Sequence, residues 1–141
     1  MISKYITYKE ATDSQTAIRL GIDNIPDDEQ LENMKYVAVN IFDKVREHFN
    51  TRLGISSFFR SKALNKAIKG SATSQHMLGE AIDIDADIYG KITNMDIFNY
   101  IKDNLEFDQL IQEYPKNGKP SWIHVSLKRN GINRNKIITI V

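Results

Sequence analysis

The sequence predicts an α+β fold with a small, mostly antiparallel sheet, formed by a single domain over residues 1–141. Helical patterns come first along the chain, and strand patterns cluster late, with connections of hairpin length between them. The chain is long enough to bury a core of its own. Its 41% hydrophobic and 26% charged residues are ordinary for a globular protein.

The clearest helix begins near Pro26, where proline and three acidic residues suit a helix N-terminus, and runs to about residue 50. Shorter helices are predicted over Thr7–Leu20, closed by Gly21, over Lys62–Ile68, and from a capping box at Thr93 to about residue 105. The apolar residues of the long helix recur at helical spacing: Leu31, Met34, Ala38, Ile41, Phe42, Val45 and Phe49.

Strands are predicted where apolar and polar residues alternate. In one of them Asp83 and Asp85 share a face, and Ile82 and Ile84 share the other; in a later one His124 lies on the face opposite Ile123 and Val125. The predicted strands are Ile55–Phe59, Glu80–Ala86, Phe107–Glu113, Trp122–Leu127 and Lys136–Val141.

Composition limits the possible partners and cofactors. A net charge of +1 gives no electrostatic reason to expect nucleic acid or an anionic membrane as the main partner. Without cysteine, any metal must be held by histidine and carboxylates. The N-terminus lacks the apolar core of a signal peptide, and no window approaches the roughly 20 apolar residues of a membrane span. We expect a monomer that is synthesised in the cytoplasm and does not insert into a membrane.

Residues 74–87 place a histidine and three aspartates in an otherwise apolar run. Asp83, Asp85 and Asp87 match the first three ligand positions of an EF-hand calcium loop. Ile88 stands where that loop needs glycine, and Asn94 stands where it needs a bidentate glutamate. Calcium is therefore a minor alternative, and Asp85 and Asp87 are expected to orient metal ligands or to stay solvated.

A zinc site fits the same stretch better. On a helix His76 and Asp83 would lie about 10.5 Å apart along the axis, but a loop that turns at Gly79 folds His76 back over Asp83. His124, on the polar face of its strand, is the candidate third ligand, and three ligands leave a position for water, as in catalytic zinc sites. His48, near a helix C-terminus, is interpreted as a surface residue.

A hydrolytic zinc site also needs a general base for its water. Glu106, Asp108 and Glu113 are the candidates. Glu113 is favoured because it lies at the strand end nearest the hairpin partner, on the face of Gln109 and Ile111.

Together these residues resemble a known family. Residues 74–83, SQHMLGEAID, resemble the S-x-H-x-x-G-x-A-x-D signature of zinc D-alanyl-D-alanine carboxypeptidases and related peptidoglycan peptidases. Trp122-Ile-His124 is similar to the family's second histidine motif, and Arg60-Ser61 followed by Asn65 is similar to its R-S-x-x-x-N segment. TYKEA at residues 7–11 and RLGIDN at 19–24 resemble the phage-associated branch.

The resemblance implies that His76, Asp83 and His124 bind Zn²⁺ and that Glu113 is the base. Arg60 would stabilise the oxyanion or hold a substrate carboxylate. Glu113 departs from the pattern of many relatives, because it lies eleven residues before His124 rather than three.

The resemblance also implies contacts to substrate and a place of action. Ser74 and Gln75 would donate hydrogen bonds to substrate or cap the loop, and Trp122 would contact substrate. Helices would pack on one side of the sheet, as in the hedgehog signalling domain. The expected substrate is a peptidoglycan stem peptide, reached after release during phage lysis or as part of a virion. The alternative is a cell-wall-binding module that keeps zinc but has lost catalysis.

Overall fold

The computed structural model describes residues 1–141 and shows the predicted α+β architecture. The α-helices are α1 (Tyr8–Thr12), α2 (Gln15–Leu20), α3 (Asp28–Val37), α4 (Asp43–Phe49), α5 (Lys62–Ala67) and α6 (Asn94–Asn104). The strands are β1 (Gly54–Ser57), β2 (Ala81–Asp85), β3 (Gln109–Glu113), β4 (Trp122–Ser126) and β5 (Lys136–Ile140). A π-helical turn, Ala38–Phe42, joins α3 to α4, and a 3₁₀ turn, Gln75–Leu78, precedes β2.

The five strands form one sheet in the order β1-β2-β4-β3-β5. Every neighbouring pair is antiparallel except β3 and β5, which run parallel. The predicted mostly antiparallel sheet is therefore confirmed. Because β4 lies between β2 and β3, residues from two distant parts of the chain meet at its centre.

Helices α3 and α6 pack against one face of this sheet, α4 packs against α6, and together they bury the apolar side chains of that face. The alternation of the strands leaves the opposite face to polar groups, among them Asp83 and His124. The buried side chains shared by these helices and the sheet include Met34, Val37, Ile41, Phe42, Val45, Ile82, Ile84, Ile97, Ile101, Leu110, Ile123 and Val125. None of the helices has the length and the apolar run needed to cross a membrane.

The long helix runs as predicted, with a π-helical turn in its middle. Asp27 caps its start by accepting a hydrogen bond from Gln30 N at 2.8 Å, and Asn50 ends it in the left-handed conformation. Its first two turns support the loop that carries His76, because the side chains of Gln30 and Asn33 donate hydrogen bonds to Met77 O and Leu78 O.

Apart from shifts of one or two residues at the ends of later elements, two predicted elements differ from the structure. The helix predicted over Thr7–Leu20 is two helices, because Ser14 is extended and its hydroxyl caps α2 by accepting from Ala17 N. The first strand ends at Ser57 instead of Phe59. Phe59 N donates to Ala11 O, so the chain leaves the sheet there and turns toward the polar face.

Candidate metal centre

The structure brings His76, Asp83 and His124 together on the polar face of the sheet. Register pairs Asp83 on β2 directly with His124 on β4, and His124 Nδ1 lies 3.0 Å from Asp83 Oδ1. His76 Nε2 approaches the same oxygen at 3.2 Å. All three side chains are buried, and one potential ligand atom from each lies within 4.8 Å of the others. These three side chains, called the metal cluster below, could hold a single metal ion.

The turn before β2 places His76 in this cluster. Ser74 Oγ accepts a hydrogen bond from His76 N at 3.3 Å and so caps the 3₁₀ turn Gln75–Leu78. Gly79 ends the turn at φ +75°, in the left-handed region. The chain then enters β2, so that His76 lies over Asp83, as the position of Gly79 in the sequence predicts.

Hydrogen bonding to the backbone sets the tautomer of the neutral His76 ring. Its Nδ1 lies 2.6 Å from Phe58 O, and a carbonyl oxygen can only accept, so Nδ1 carries the proton. Nε2 is buried and has no hydrogen-bond partner. In the neutral ring, its lone pair therefore lies 3.2 Å from an Asp83 oxygen that also carries lone pairs. A cation between the two atoms would relieve this repulsion.

The surroundings of Asp83 favour the ionised form of its carboxyl. Burial alone would raise the pKa of its carboxyl, but His76 and His124 lower the pKa by more, and it lies well below its usual range. One carboxylate and two imidazoles are ligands that zinc accepts. The donor set therefore fits a zinc ion.

Glu113 lines the same cavity, which has a volume of about 740 Å³. On β3, Glu113 lies opposite Trp122, and Ile111 lies opposite His124. Residues two apart on a strand share a face, so Glu113 lies on the same face of the sheet as His124. Burial raises the pKa of the Glu113 carboxyl above its ordinary value, with His124 and Arg60 acting in the opposite direction.

The two competing carboxylates lie elsewhere. Glu106 is exposed and accepts a hydrogen bond from Asn133 at 3.3 Å. Asp108 is fully buried in an ion pair with Arg134 and does not line the cavity. Of the three candidates, Glu113 is the one at the metal cluster, and its role as base remains a prediction.

Arg60 also lines the cavity, next to both acidic groups. Burial lowers the pKa of its guanidinium, and the charges of Asp83 and Glu113 raise it in part. Nη1 donates to Asn65 Oδ1 at 3.1 Å, and Nε is buried without a partner. Asn65 in turn donates to Ser71 O, so it fixes the guanidinium against the loop that follows α5.

The predicted substrate contacts are arranged around this cluster. Ser74 and Trp122 line the cavity, and the Trp122 ring lies 5.4 Å from that of Tyr114 between centroids. Gln75 lines it too, but its amide donates to Asp108 Oδ2 at 2.8 Å. The role of each toward substrate remains a prediction.

Asp85 and Asp87 lie at the far end of β2 and do not hydrogen-bond the metal cluster. Both accept hydrogen bonds from Asn94 Nδ2, at 3.1 and 3.3 Å. Asn94 Oδ1 accepts from Ala86 N at 2.7 Å, so the group fixes the start of α6 to the end of β2. The aspartates thus support the fold at this point. His48 is exposed and stacks on Tyr100, in agreement with its interpretation as a surface residue.

The ion pair between the buried Asp108 and the exposed Arg134 was not predicted. Arg134 donates to both carboxylate oxygens of Asp108, from Nε at 2.9 Å and from Nη2 at 2.7 Å. A single aspartate at a strand start and an arginine in a polar loop carry no recognisable spacing, so no sequence signal joins them. The hydrogen bond between His76 Nδ1 and the carbonyl of Phe58 was not predicted either, for the same reason.

This pair predicts an acid dependence of stability. Hydrogen bonds from Arg134, the largest cause, hold the pKa of the Asp108 carboxyl below its unfolded value of about 3.9. The stabilisation is therefore complete above that value and is lost as the pH falls below it. We expect Asp108→Asn to cost about 2 kcal/mol of unfolding free energy at pH 6 and much less at pH 2.5, measured by urea denaturation of metal-free protein. An equal cost at both pH values would contradict the prediction.

Gly79 predicts a second stability effect, for which Gly21 is a matched control. Both have positive φ, but a Cβ on Gly79 would lie 2.5 Å from Gln30 O, whereas a Cβ on Gly21 would meet nothing within 4 Å. Gly21→Ala should cost about 1–2 kcal/mol from backbone strain alone. Gly79→Ala should cost at least about 1 kcal/mol more, because α3 must shift. Urea denaturation measures both, and equal costs would show that the contact with Gln30 is not limiting.

Comparison with known proteins agrees with this geometry. The model of the family described as peptidase M15 matches residues 4–126, which include every residue of the metal cluster together with Arg60 and Glu113. No curated protein matches the chain. The match covers most of the sequence, and the fold is consistent with it. The chain therefore belongs to the peptidase M15 family, the family of the zinc D-Ala-D-Ala carboxypeptidase-like peptidases.

Proposed function

We propose that this protein is a zinc-dependent peptidase that hydrolyses peptide bonds in peptidoglycan stem peptides. One observation carries the proposal: the unpartnered, buried Nε2 of His76 lies 3.2 Å from the carboxylate of Asp83, with His124 on the other side of that carboxylate. With His76 in its neutral form, lone pairs of the two groups face each other, and a cation between them would remove this repulsion.

His76, Asp83 and His124 would hold the ion. When bound, zinc supplies a Lewis acid and lowers the pKa of a water molecule toward about 7. The hydrogen bond from His76 Nδ1 to Phe58 O keeps the other ring nitrogen available as a ligand. Three protein ligands leave room for water and for the substrate carbonyl, as a catalytic site requires.

Glu113 would move the proton. Its carboxylate lines the cavity, and burial raises its pKa, so its basicity is greater than that of an exposed glutamate. It would take a proton from the attacking water and give it to the leaving amine. Arg60 keeps donors free of protein partners in this cavity and would stabilise the oxyanion or hold a substrate carboxylate.

The cavity supports a carboxylate-bearing peptide as substrate. Four cationic side chains line it, those of Arg60, Lys69, Lys128 and Arg134, against three acidic ones, Glu80, Asp83 and Glu113, of which Asp83 would bind the ion. Stem peptides carry carboxylates along their length and at their end. A D-Ala-D-Ala carboxypeptidase would use Arg60 on the terminal carboxylate, whereas an endolysin-type endopeptidase would use it on the oxyanion.

The proposed setting is the bacterial cell wall, reached by a monomeric protein after phage lysis or within a virion. The resemblance of residues 7–11 and 19–24 to the phage-associated branch supports this setting.

The test joins metal analysis to product analysis. Protein loaded with one equivalent of zinc is incubated with purified cell walls, and the released muropeptides are identified by mass spectrometry. We expect zinc-dependent cleavage in the stem peptide, with the products showing which bond is cut. Binding to the walls with bound zinc and no cleavage would instead indicate a binding module that has lost catalysis. Calcium and no zinc in the protein as purified, before zinc is added, would overturn the proposal.

A further inference from the structure

We propose that the C-terminal segment, residues 127–141, stabilises the metal centre. It does so by holding both ends of the turn Gln75–Leu78, which carries His76. The proposal rests on the assignment of His76 as a metal ligand in the proposed function. The family match stops at residue 126, so this segment lies outside it. Two of its arginines each reach one end of the turn Gln75–Leu78 through one intermediate residue.

The first connection holds the start of the turn. Arg134 donates to both carboxylate oxygens of Asp108, and its backbone N adds a third hydrogen bond at 3.1 Å. The oriented carboxylate accepts from Gln75 Nε2 at 2.8 Å. Gln75 immediately precedes His76, and its backbone O accepts from Glu80 N, where the chain enters β2. Fixing Gln75 therefore fixes the turn relative to the strand that carries Asp83.

The second connection holds the end of the turn. Arg129 Nε donates to Asn33 Oδ1 at 3.0 Å, and Asn33 Nδ2 donates to Leu78 O at 2.9 Å. Asn33 lies on α3, so the arginine fixes the rotamer of the amide that holds the turn. Since Arg129 does not line the cavity, any effect of this residue on the metal must act through the turn.

The middle of the turn is held by other parts of the chain. His76 O accepts from Arg60 N at 3.2 Å, and Met77 O accepts from Gln30 Nε2 at 3.0 Å. Each residue of the turn thus has its own anchor, and only the two outer anchors depend on the C-terminal segment. Pairing of β5 with β3 keeps that segment in place, with Lys136 N donating to Asp108 O at 2.9 Å.

Loss of either arginine should loosen one end of the turn without removing a metal ligand. His76 Nε2 would then spend less time within reach of the ion held by Asp83 and His124. Residues that support metal ligands typically contribute 10- to 100-fold in metal affinity. Because each arginine acts through an intermediate residue, we expect the lower end of that range.

The experiment compares Arg129→Gln, Arg134→Gln and the double variant with Arg19→Gln, an exposed arginine on α2. Hydrogen exchange of the peptide covering residues 74–80 is measured in metal-free protein, and zinc affinity is measured by competition with a chelator. We expect exchange about tenfold faster and zinc binding about tenfold weaker in each single variant, and larger changes in the double variant. Arg19→Gln should change neither quantity.

A conservative variant, Arg134→Lys, tests whether the paired donors of the guanidinium are needed. Arg134→Lys should restore part of the effect, because lysine keeps the charge but not the paired donors. Unchanged exchange at residues 74–80 and unchanged zinc affinity in Arg129→Gln and Arg134→Gln would overturn the proposal. If Arg134→Gln fails to fold, Arg129→Gln decides alone. An unmodified chain that binds no zinc would refute the proposed function, while the exchange measurement would still decide whether the segment holds the turn.

Discussion

Glu113→Gln protein is expected to bind zinc as tightly as the unmodified chain and to hydrolyse peptidoglycan stem peptides about 10²–10⁴ times more slowly. Glutamine keeps the size and polarity of the side chain but cannot accept a proton at neutral pH. Glu113 contributes no ligand to the cluster of His76, Asp83 and His124, so the metal should remain bound. The fall should be in kcat, measured from muropeptide release, with zinc content checked on the same samples.

The matched control for this prediction is Glu106→Gln. Glu106 was a candidate base from the sequence, but it is exposed and does not line the cavity. Its replacement should leave kcat within about twofold, the range of an ordinary surface substitution. Full activity in Glu113→Gln would show that Glu113 is not the base.

His76→Ala is expected to lose zinc binding. Zinc binding to a protein site typically releases more than about 10 kcal/mol of free energy, so removal of one of three ligands should weaken the affinity by about 10²–10³. The change also removes the hydrogen bond to Phe58 O and leaves a cavity at a fully buried position. We therefore expect lower stability even without metal. Added zinc should raise the melting temperature of the unmodified chain but not that of the variant.

His48→Ala provides the control, since His48 is the one histidine outside the cluster and stacks on Tyr100. It should keep its zinc and its response to zinc in thermal denaturation. An equally tight zinc site in His76→Ala would show that the ion is held by other residues, and the proposed ligand set would be wrong.

The strength of the local sequence signals decided how much of the fold was predictable. The long helix around residues 26–50 carries its cap and its apolar face in neighbouring residues, so its start and end were predicted closely. The parallel pairing of β5 with β3 has no local signature, because it depends on where a loop returns the chain to the sheet. The split at Ser14 was missed, because a serine inside a polar run can cap a helix or continue it.

By itself, the sequence determined which residue types form the metal cluster and that Gly79 must turn the chain between them. Those requirements are local: a histidine, a glycine and an aspartate within eight residues, with ligand chemistry limited by the lack of cysteine. The tertiary structure alone decided which carboxylate lies in the cavity and which is used to hold the turn. Glu113 ends β3, and Asp108 immediately precedes the same strand, five residues earlier. Arg134, distant in sequence from both, pairs only with Asp108. Charge pairing across the fold, which no local pattern encodes, leaves Glu113 without a salt bridge beside the metal cluster.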